Sequence, residues 1–218
     1  MNLPKLKNSK LFAEAFTHRS YLNEAKLKIS SNERLEFLGD SIISFAISNY
    51  LYDKYPDFNE GDLTNLRSLL VNTKSLSEIA RELKMGLLLK LSKGEEESKG
   101  RENATLLENS FEAYCGALFL DQGMNSVIKF LESTLFPKIQ ELVNKKTFKD
   151  PKSMLQEKVQ AQKQGSPQYK VLEETGPAHA KIFKVAVFVD GKKLGEGLGR
   201  SKQIAEVSAA KVALEQKS

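Results

Sequence analysis

Asn32-Glu33-Arg34-Leu35-Glu36-Phe37-Leu38-Gly39-Asp40-Ser41 opens a segment, running through Tyr50, that is apolar on nearly every side. Leu35, Phe37, Leu38, Ile42, Ile43, Phe45, Ala46 and Ile47 leave it no polar face, and a helix apolar all round is expected to be buried. Glu36 and Asp40 interrupt it. Four residues apart, they share one helix face and lie within reach of each other. Two like charges side by side in a buried place are costly unless something positive offsets them, and a divalent cation is the simplest candidate.

The stretch Thr105 to Leu120, TLLENSFEAYCGALFL, repeats the pattern. Glu112 lies within a second apolar helix, with Asn109 one turn earlier on the same face. Gly116 and Ala117 are small enough to admit a close helix contact. If the two helices cross here, Glu36, Asp40, Asn109 and Glu112 converge as metal ligands. Three carboxylates and one amide oxygen make a hard, all-oxygen site suited to magnesium or manganese rather than zinc.

These residues resemble a known family. NERLEFLGD is similar to the signature of ribonuclease III, the endonuclease that cuts double-stranded RNA. Thr17-His18-Arg19-Ser20-Tyr21 resembles that family's N-terminal motif. Glu60-Gly61-Asp62-Leu63-Thr64 and Leu69-Leu70-Val71-Asn72 resemble its next helix, Gly94 to Arg101 its glycine-rich loop, and Phe111-Glu112-Ala113 its second metal helix. The similarity spans almost the whole chain in the family's order. It implies a mostly α N-terminal endonuclease domain that forms a symmetric homodimer, with Phe37 as a hydrophobic knob entering the partner subunit. It also implies metal-assisted hydrolysis with Mg2+ (Mn2+ as an alternative), in which Asp40 and Glu112 are catalytic. Products would carry a 5′-phosphate, a 3′-hydroxyl and short 3′ overhangs, as in the processing of ribosomal and messenger RNA. Glu33 and Glu60 resemble accessory acidic positions, although either could instead pair with Arg34 or nearby lysines. One departure stands out: family members typically carry aspartate where this chain has Asn109. Three readings follow. The chain is an active member that tolerates the amide, a laboratory substitution that traps a complex, or a natural member with little or no cleavage. The last makes it a non-cleaving dimeric binder of double-stranded RNA.

The charge is unevenly placed. The formal net charge of +5 lies in the last 68 residues, which hold 12 Lys and Arg against 7 Asp and Glu; residues 1–150 balance at 21 of each. A basic module beside a neutral one points to a polyanion-binding appendage. Leu131 to Val143 has helical spacing, and the pattern then breaks over 144–150. Domains are therefore expected at 1–147 and 148–218, the second opening with Asp150 as N-cap and Pro151 at the first helical position.

In that second part Met154 to Ala161 reads as a helix, and Tyr169 to Leu172 and Ile182 to Val189 as strands. Asp190-Gly191 reads as a hairpin turn, Lys192 to Leu198 as a third strand, and Gly199-Arg200-Ser201 as the opening of a helix to about Gln216. This order resembles the double-stranded-RNA-binding domain, an α+β fold of α-β-β-β-α order. From the first helix, Gln156 and Glu157 can reach 2′-hydroxyls in the shallow minor groove of an A-form duplex, and His179 can enter the next minor groove. Arg200, Ser201, Lys202 and Gln203 open the last helix, whose N-terminal N–H groups and Lys202 favour phosphates. Many family members have lysine at Gln203.

The lone Cys115 cannot form an internal disulfide and reads as a small buried helix residue, and His18 reads as structural rather than catalytic. No apolar run approaches the roughly 20 residues of a membrane span. A cytoplasmic protein, with no membrane partner, is expected.

Overall fold

The computed structural model describes residues 3–25, 29–145, 148–177 and 180–215 and divides into two compact units, Met1–Phe148 and Lys149–Ser218. The first unit is helical. In chain order it comprises α1 (Ser9–Ala15), α2 (Arg19–Leu22), α3 (Glu33–Lys54), α4 (Glu60–Leu70), α5 (Thr73–Glu82), α6 (Lys93–Glu97), α7 (Ala104–Gln122), α8 (Met124–Thr134) and α9 (Phe136–Lys145). Short 3₁₀ turns lie at Met85–Leu88 and Gly100–Glu102.

Side-chain caps set many of the helix starts. Asn59, Asn72 and Asn103 each turn their amide oxygen onto the free N–H groups of α4, α5 and α7, the donors a helix end leaves unpaired. His18 does the same for α2 with its Nδ1, so its role here is that of a cap. Arg101 donates to the carbonyls of Gly86 and Leu89 at 2.9 and 2.7 Å and pairs with Glu96, tying the segment Gly94 to Arg101 to the body of the domain.

The central pair is α3 and α7. Of the α7 side chains, Leu107, Phe111, Ala113, Tyr114, Cys115, Ala117 and Leu118 are buried, and α7 is covered by α3, α5, α1 and α8. Burial pushes the Cys115 thiol well above its usual range, so it is an inert packing residue. α3 departs from expectation. It is apolar all round, yet only one side is buried: Phe37 is 78% exposed, Phe45 59% and Tyr52 74%, and with Ser41 and Asn49 they form a stripe at helical spacing along its outer face. The single helix expected over Leu131 to Val143 is also two helices. Pro137, the second residue of α9, has no N–H to donate and clashes with the carbonyl four residues earlier, so the chain breaks at Leu135. Phe148 stacks on Phe58 at 5.2 Å between ring centroids and closes the first unit.

The second unit runs α10 (Pro151–Ala161), β1 (Gln168–Thr175), β2 (Ile182–Val189), β3 (Lys192–Gly199) and α11 (Lys202–Glu215). The antiparallel sheet has the order β1-β2-β3. Asp150 caps α10 by accepting from Ser153 N, and Pro151 occupies the first turn. Asp190 and Gly191 turn between β2 and β3 with φ of 50° and 78°, the left-handed pair a tight hairpin requires. β1 is longer than its hydrophobic run because Glu173 to Thr175 continue the pairing with β2 through their backbone. Leu155, Val159, Val187, Val189, Ala209, Ala210 and Ala213 make the core between helices and sheet.

Candidate active site and RNA-binding surface

The α3–α7 crossing is a backbone contact. A Cβ placed on Gly39 would lie 1.8 Å from the Glu112 carbonyl oxygen, and one on Gly116 would lie 2.3 Å from the Leu35 carbonyl oxygen. Leu35 therefore meets Gly116 and Gly39 meets Glu112, so the helices run antiparallel with nothing between their main chains. The expected close contact is made at Gly116 and at Gly39. Glu36 and Asp40 each follow one of the contact residues on α3, and Glu112 is itself one on α7. The crossing thus gathers the acidic side chains that interrupt the two apolar runs.

Electrostatics records that gathering. Glu112 is buried as a residue, and its carboxyl is pushed up to about 8, first by burial and then by the charges of Glu108, Asp40 and Glu36. Glu36 is raised by burial and by Glu33, Glu108 and Asp40, with Arg19 acting in the opposite sense. Glu108 is raised by burial and by Asp40, while Thr73 at the start of α5 acts in the opposite sense. Among the described residues none of Glu36, Asp40, Glu108 and Glu112 forms an ion pair, and Glu112 has no hydrogen-bond partner.

Asn109 is half-buried on α7. Of the two accessory acids, Glu33 acts on Glu36. Glu33 accepts from the Ser31 hydroxyl at 2.8 Å and pairs with Arg19 at 3.6 Å, not with Arg34. Glu60 opens α4 and accepts from Thr64 at 3.0 Å. Glu108 was not among the residues singled out from sequence, although it stands four residues before Glu112, the same spacing that marked Glu36 and Asp40.

The donor set fits a hard divalent cation. It is all oxygen and strongly negative. Among the described residues no three Asp, Glu, His or Cys side chains are drawn together tightly enough to enclose an ion by themselves.

One consequence is measurable without RNA. The Glu112 carboxyl titrates higher in the folded chain than unfolded, so its contribution to stability is full below about pH 4.5 and is lost as pH rises through about 8. In EDTA the chain should lose about 2 kcal/mol between pH 5 and pH 8.5 from this group, a value discounted for the solvent that screens its neighbours. Urea titrations of the wild type and Glu112→Gln at both pH values would check this. An equal pH dependence in the two proteins would contradict it.

In the second unit, Ser201 caps α11 by accepting from Ile204 N at 3.2 Å. Arg200, Lys202 and Gln203 are exposed beside it. Lys202 pairs with Glu174 at 3.3 Å and lies 5.6 Å from the centre of the Phe183 ring. On α10, Gln156 donates to Ser166 at 3.3 Å and the exposed Glu157 pairs with Lys149 at 3.1 Å. His179 lies outside the described residues. Among the described residues no helix is long and apolar enough to cross a membrane.

Comparison with known proteins follows the same division. Residues 8–139 match the Ribonuclease-III-like family model, and residues 151–217 match the double-stranded RNA binding motif. The chain is 50% identical over 210 residues to Ribonuclease 3 of Geobacillus kaustophilus (strain HTA426), covering 96% of this chain and 85% of that protein. It is 49% identical over 209 residues to Ribonuclease 3 of Streptococcus sanguinis (strain SK36), covering 95% and 90%. Among solved structures it resembles the nuclease domain of ribonuclease III from Campylobacter jejuni, in a study of the region involved in dimer formation. That match has 36% identity and a TM-score of 0.55, over 59% of this chain and 87% of that one. It also resembles Dicer from Pichia stipitis, at 29% identity and a TM-score of 0.52, over 100% and 98%. With an acidic helix crossing in one unit and a duplex-RNA-binding fold in the other, this chain belongs to the ribonuclease III family.

Proposed function

We propose that this chain, an endoribonuclease acting on double-stranded RNA, cuts by metal-assisted hydrolysis at the α3–α7 crossing. The observation that carries this is Glu112, a buried residue whose carboxyl is raised by the like charges of Glu108, Asp40 and Glu36 around it. A group so placed is costly unless a cation completes it. Glu36, Asp40 and Glu112 are the proposed holders of Mg2+, or Mn2+ in its place, with Asn109 offering a carbonyl oxygen. Asp40 and Glu112 would act directly on the reaction. The bound ion supplies an activated water and neutralises charge on the scissile phosphate. The protein's own contribution is positional: the backbone contact fixes the spacing of carboxylates on two helices, and the surrounding core holds their stems.

Duplex RNA is held by the second unit. The α11 N-terminus, with Arg200, Ser201, Lys202 and Gln203, faces phosphates, and Gln156, Glu157 and His179 face 2′-hydroxyls. The Lys202–Glu174 pair does not stand in the way. Both side chains are solvent-exposed, where an ion pair is weak, so a phosphate displaces the carboxylate readily.

The exposed stripe of Phe37, Phe45 and Tyr52 on α3 supports a two-fold homodimer in which Phe37 enters the partner subunit. Such a dimer presents two acidic sites to the two antiparallel strands, one cut each, with a short 3′ overhang. The site of action would be the cytoplasm, in the processing of RNA precursors. The test is direct. The purified chain with a long RNA duplex and Mg2+ should yield short duplexes with 5′-phosphate and 3′-hydroxyl ends on a denaturing gel, and EDTA should stop the reaction. Intact duplex at high protein, restored to cleavage by Asn109→Asp, would instead favour a binder that does not cut.

A further inference from the structure

We propose that Glu174 holds the place of an RNA phosphate in the free chain: its carboxylate bridges the ammonium groups of Lys181 and Lys202 over the Phe183 ring, and a duplex phosphate takes over that bridge on binding. The inference rests on the reading that Lys202 grips phosphate, and deepens it by naming the anion that the phosphate displaces.

The bridge follows from the register of the sheet. Glu174 on β1 stands opposite Phe183 on β2, and Phe183 stands opposite Gly199 on β3, so the three form one row. α11 rests on the end of that row, since a Cβ on Gly199 would lie 2.4 Å from Ala205 N. Lys202, in the first turn of α11, reaches back across the row. Its Nζ lies 5.6 Å from the centre of the Phe183 ring and 3.3 Å from one carboxylate oxygen of Glu174. Lys181, immediately before β2, has its Nζ 5.8 Å from the same ring and 2.8 Å from the other oxygen. One anion thus holds two like charges side by side, with one oxygen for each. Both lysines in turn hold the Glu174 carboxyl below its usual range. A phosphate offers the same feature, paired oxygens on one negative centre.

Two effects of Glu174 oppose each other. It aligns the lysines, which favours RNA, and it cancels one of their charges, which disfavours RNA. Alignment is shared with the Phe183 ring, which attracts both ammonium groups. Cancellation comes from Glu174 itself, so cancellation wins and Glu174 is a weak competitor of the phosphate. The sheet carries its own control. Glu196 bridges Lys184 and Lys193 in the same manner, at 3.1 and 2.6 Å. Lys184 follows Phe183 in β2, however, and so points to the opposite face of the sheet.

The experiment is binding of the full-length chain, in EDTA and over a range of KCl concentrations, to an RNA duplex of about 20 base pairs, longer than the roughly 16 that such a domain spans. Glu174→Gln should tighten binding about threefold. It should also steepen the fall of log affinity with log salt by about one, because two uncompensated ammonium groups then meet the phosphate. Glu196→Gln adds the same charge on the other face and should change affinity by less than about 1.5-fold. The gain from Glu174→Gln should vanish when Lys181→Ala and Lys202→Ala are added. Wild-type affinity and slope in Glu174→Gln, while Lys202→Ala weakens binding, would overturn the role of Glu174 and leave the grip of Lys202 standing. Weaker binding by Glu174→Gln would overturn it in favour of alignment, and equal gains in the two Gln variants would overturn it in favour of net charge alone. Lys202→Ala with wild-type affinity and slope would overturn the phosphate reading itself, and the proposal with it.

Discussion

Glu112→Gln should abolish cleavage of duplex RNA, with a fall of about a thousandfold or more, while leaving duplex affinity within about twofold of wild type. The scale follows from what is removed. A metal-held charge stabilises the transition state by several kcal/mol, and each 1.36 kcal/mol is a factor of ten in rate. The amide keeps the shape of the side chain and loses its charge, so the fold should survive. In EDTA near pH 8 the variant should be more stable than wild type, because the buried, mutually repelling carboxylate is gone. Rate and affinity separate because RNA is gripped by residues of the second unit. Single-turnover cleavage and filter binding on one preparation would measure both. A variant that still cuts at a tenth of the wild-type rate would remove Glu112 from the chemistry.

Gly39→Ala carries the largest expected cost in stability. Its Cβ would fall 1.8 Å from a backbone oxygen, and a main-chain atom cannot swing aside as a side-chain tip can. The helices must separate or one must bend, opening the core around Leu107, Phe111 and Ile43, all of which are buried. Overpacking of this kind costs about 3 kcal/mol and occasionally more. Urea denaturation of the isolated variant should show it as a lower midpoint with an unchanged slope. Cleavage should fall too, because the same displacement pulls Glu112 away from Glu36 and Asp40. A midpoint equal to wild type would mean that the crossing has room to spare.

Much of the site could be read from residue order. Glu36, Asp40 and Glu112 stand out because each interrupts a run of apolar residues, where a charge has no cheap explanation. The turn at Asp190-Gly191 and the cap at Asp150-Pro151 are local chemistry, and local chemistry survives folding. Glu108 escaped notice for a physical reason. It sits near the start of α7, where a charged residue usually faces water, and the position is half-buried on a helix that packs against α5. Its four-residue distance from Glu112 was the available signal. The exposed stripe on α3 was hidden for the opposite reason: composition reports how apolar a helix is, not which side its own chain covers. The break at Leu135 shows a third limit, since Leu131, Leu135, Ile139 and Leu142 keep helical spacing across a residue where Pro137 forbids a continuous helix.

The glycine-lined crossing makes the gap between the acidic pairs independent of side-chain size. Two main chains in direct touch act as a mechanical stop, so swaps among the aliphatic residues elsewhere in this domain can change its melting temperature without retuning the distance across which a phosphodiester must fit. Relatives whose interiors have drifted far apart can therefore hold the same working gauge, provided that neither glycine acquires a side chain.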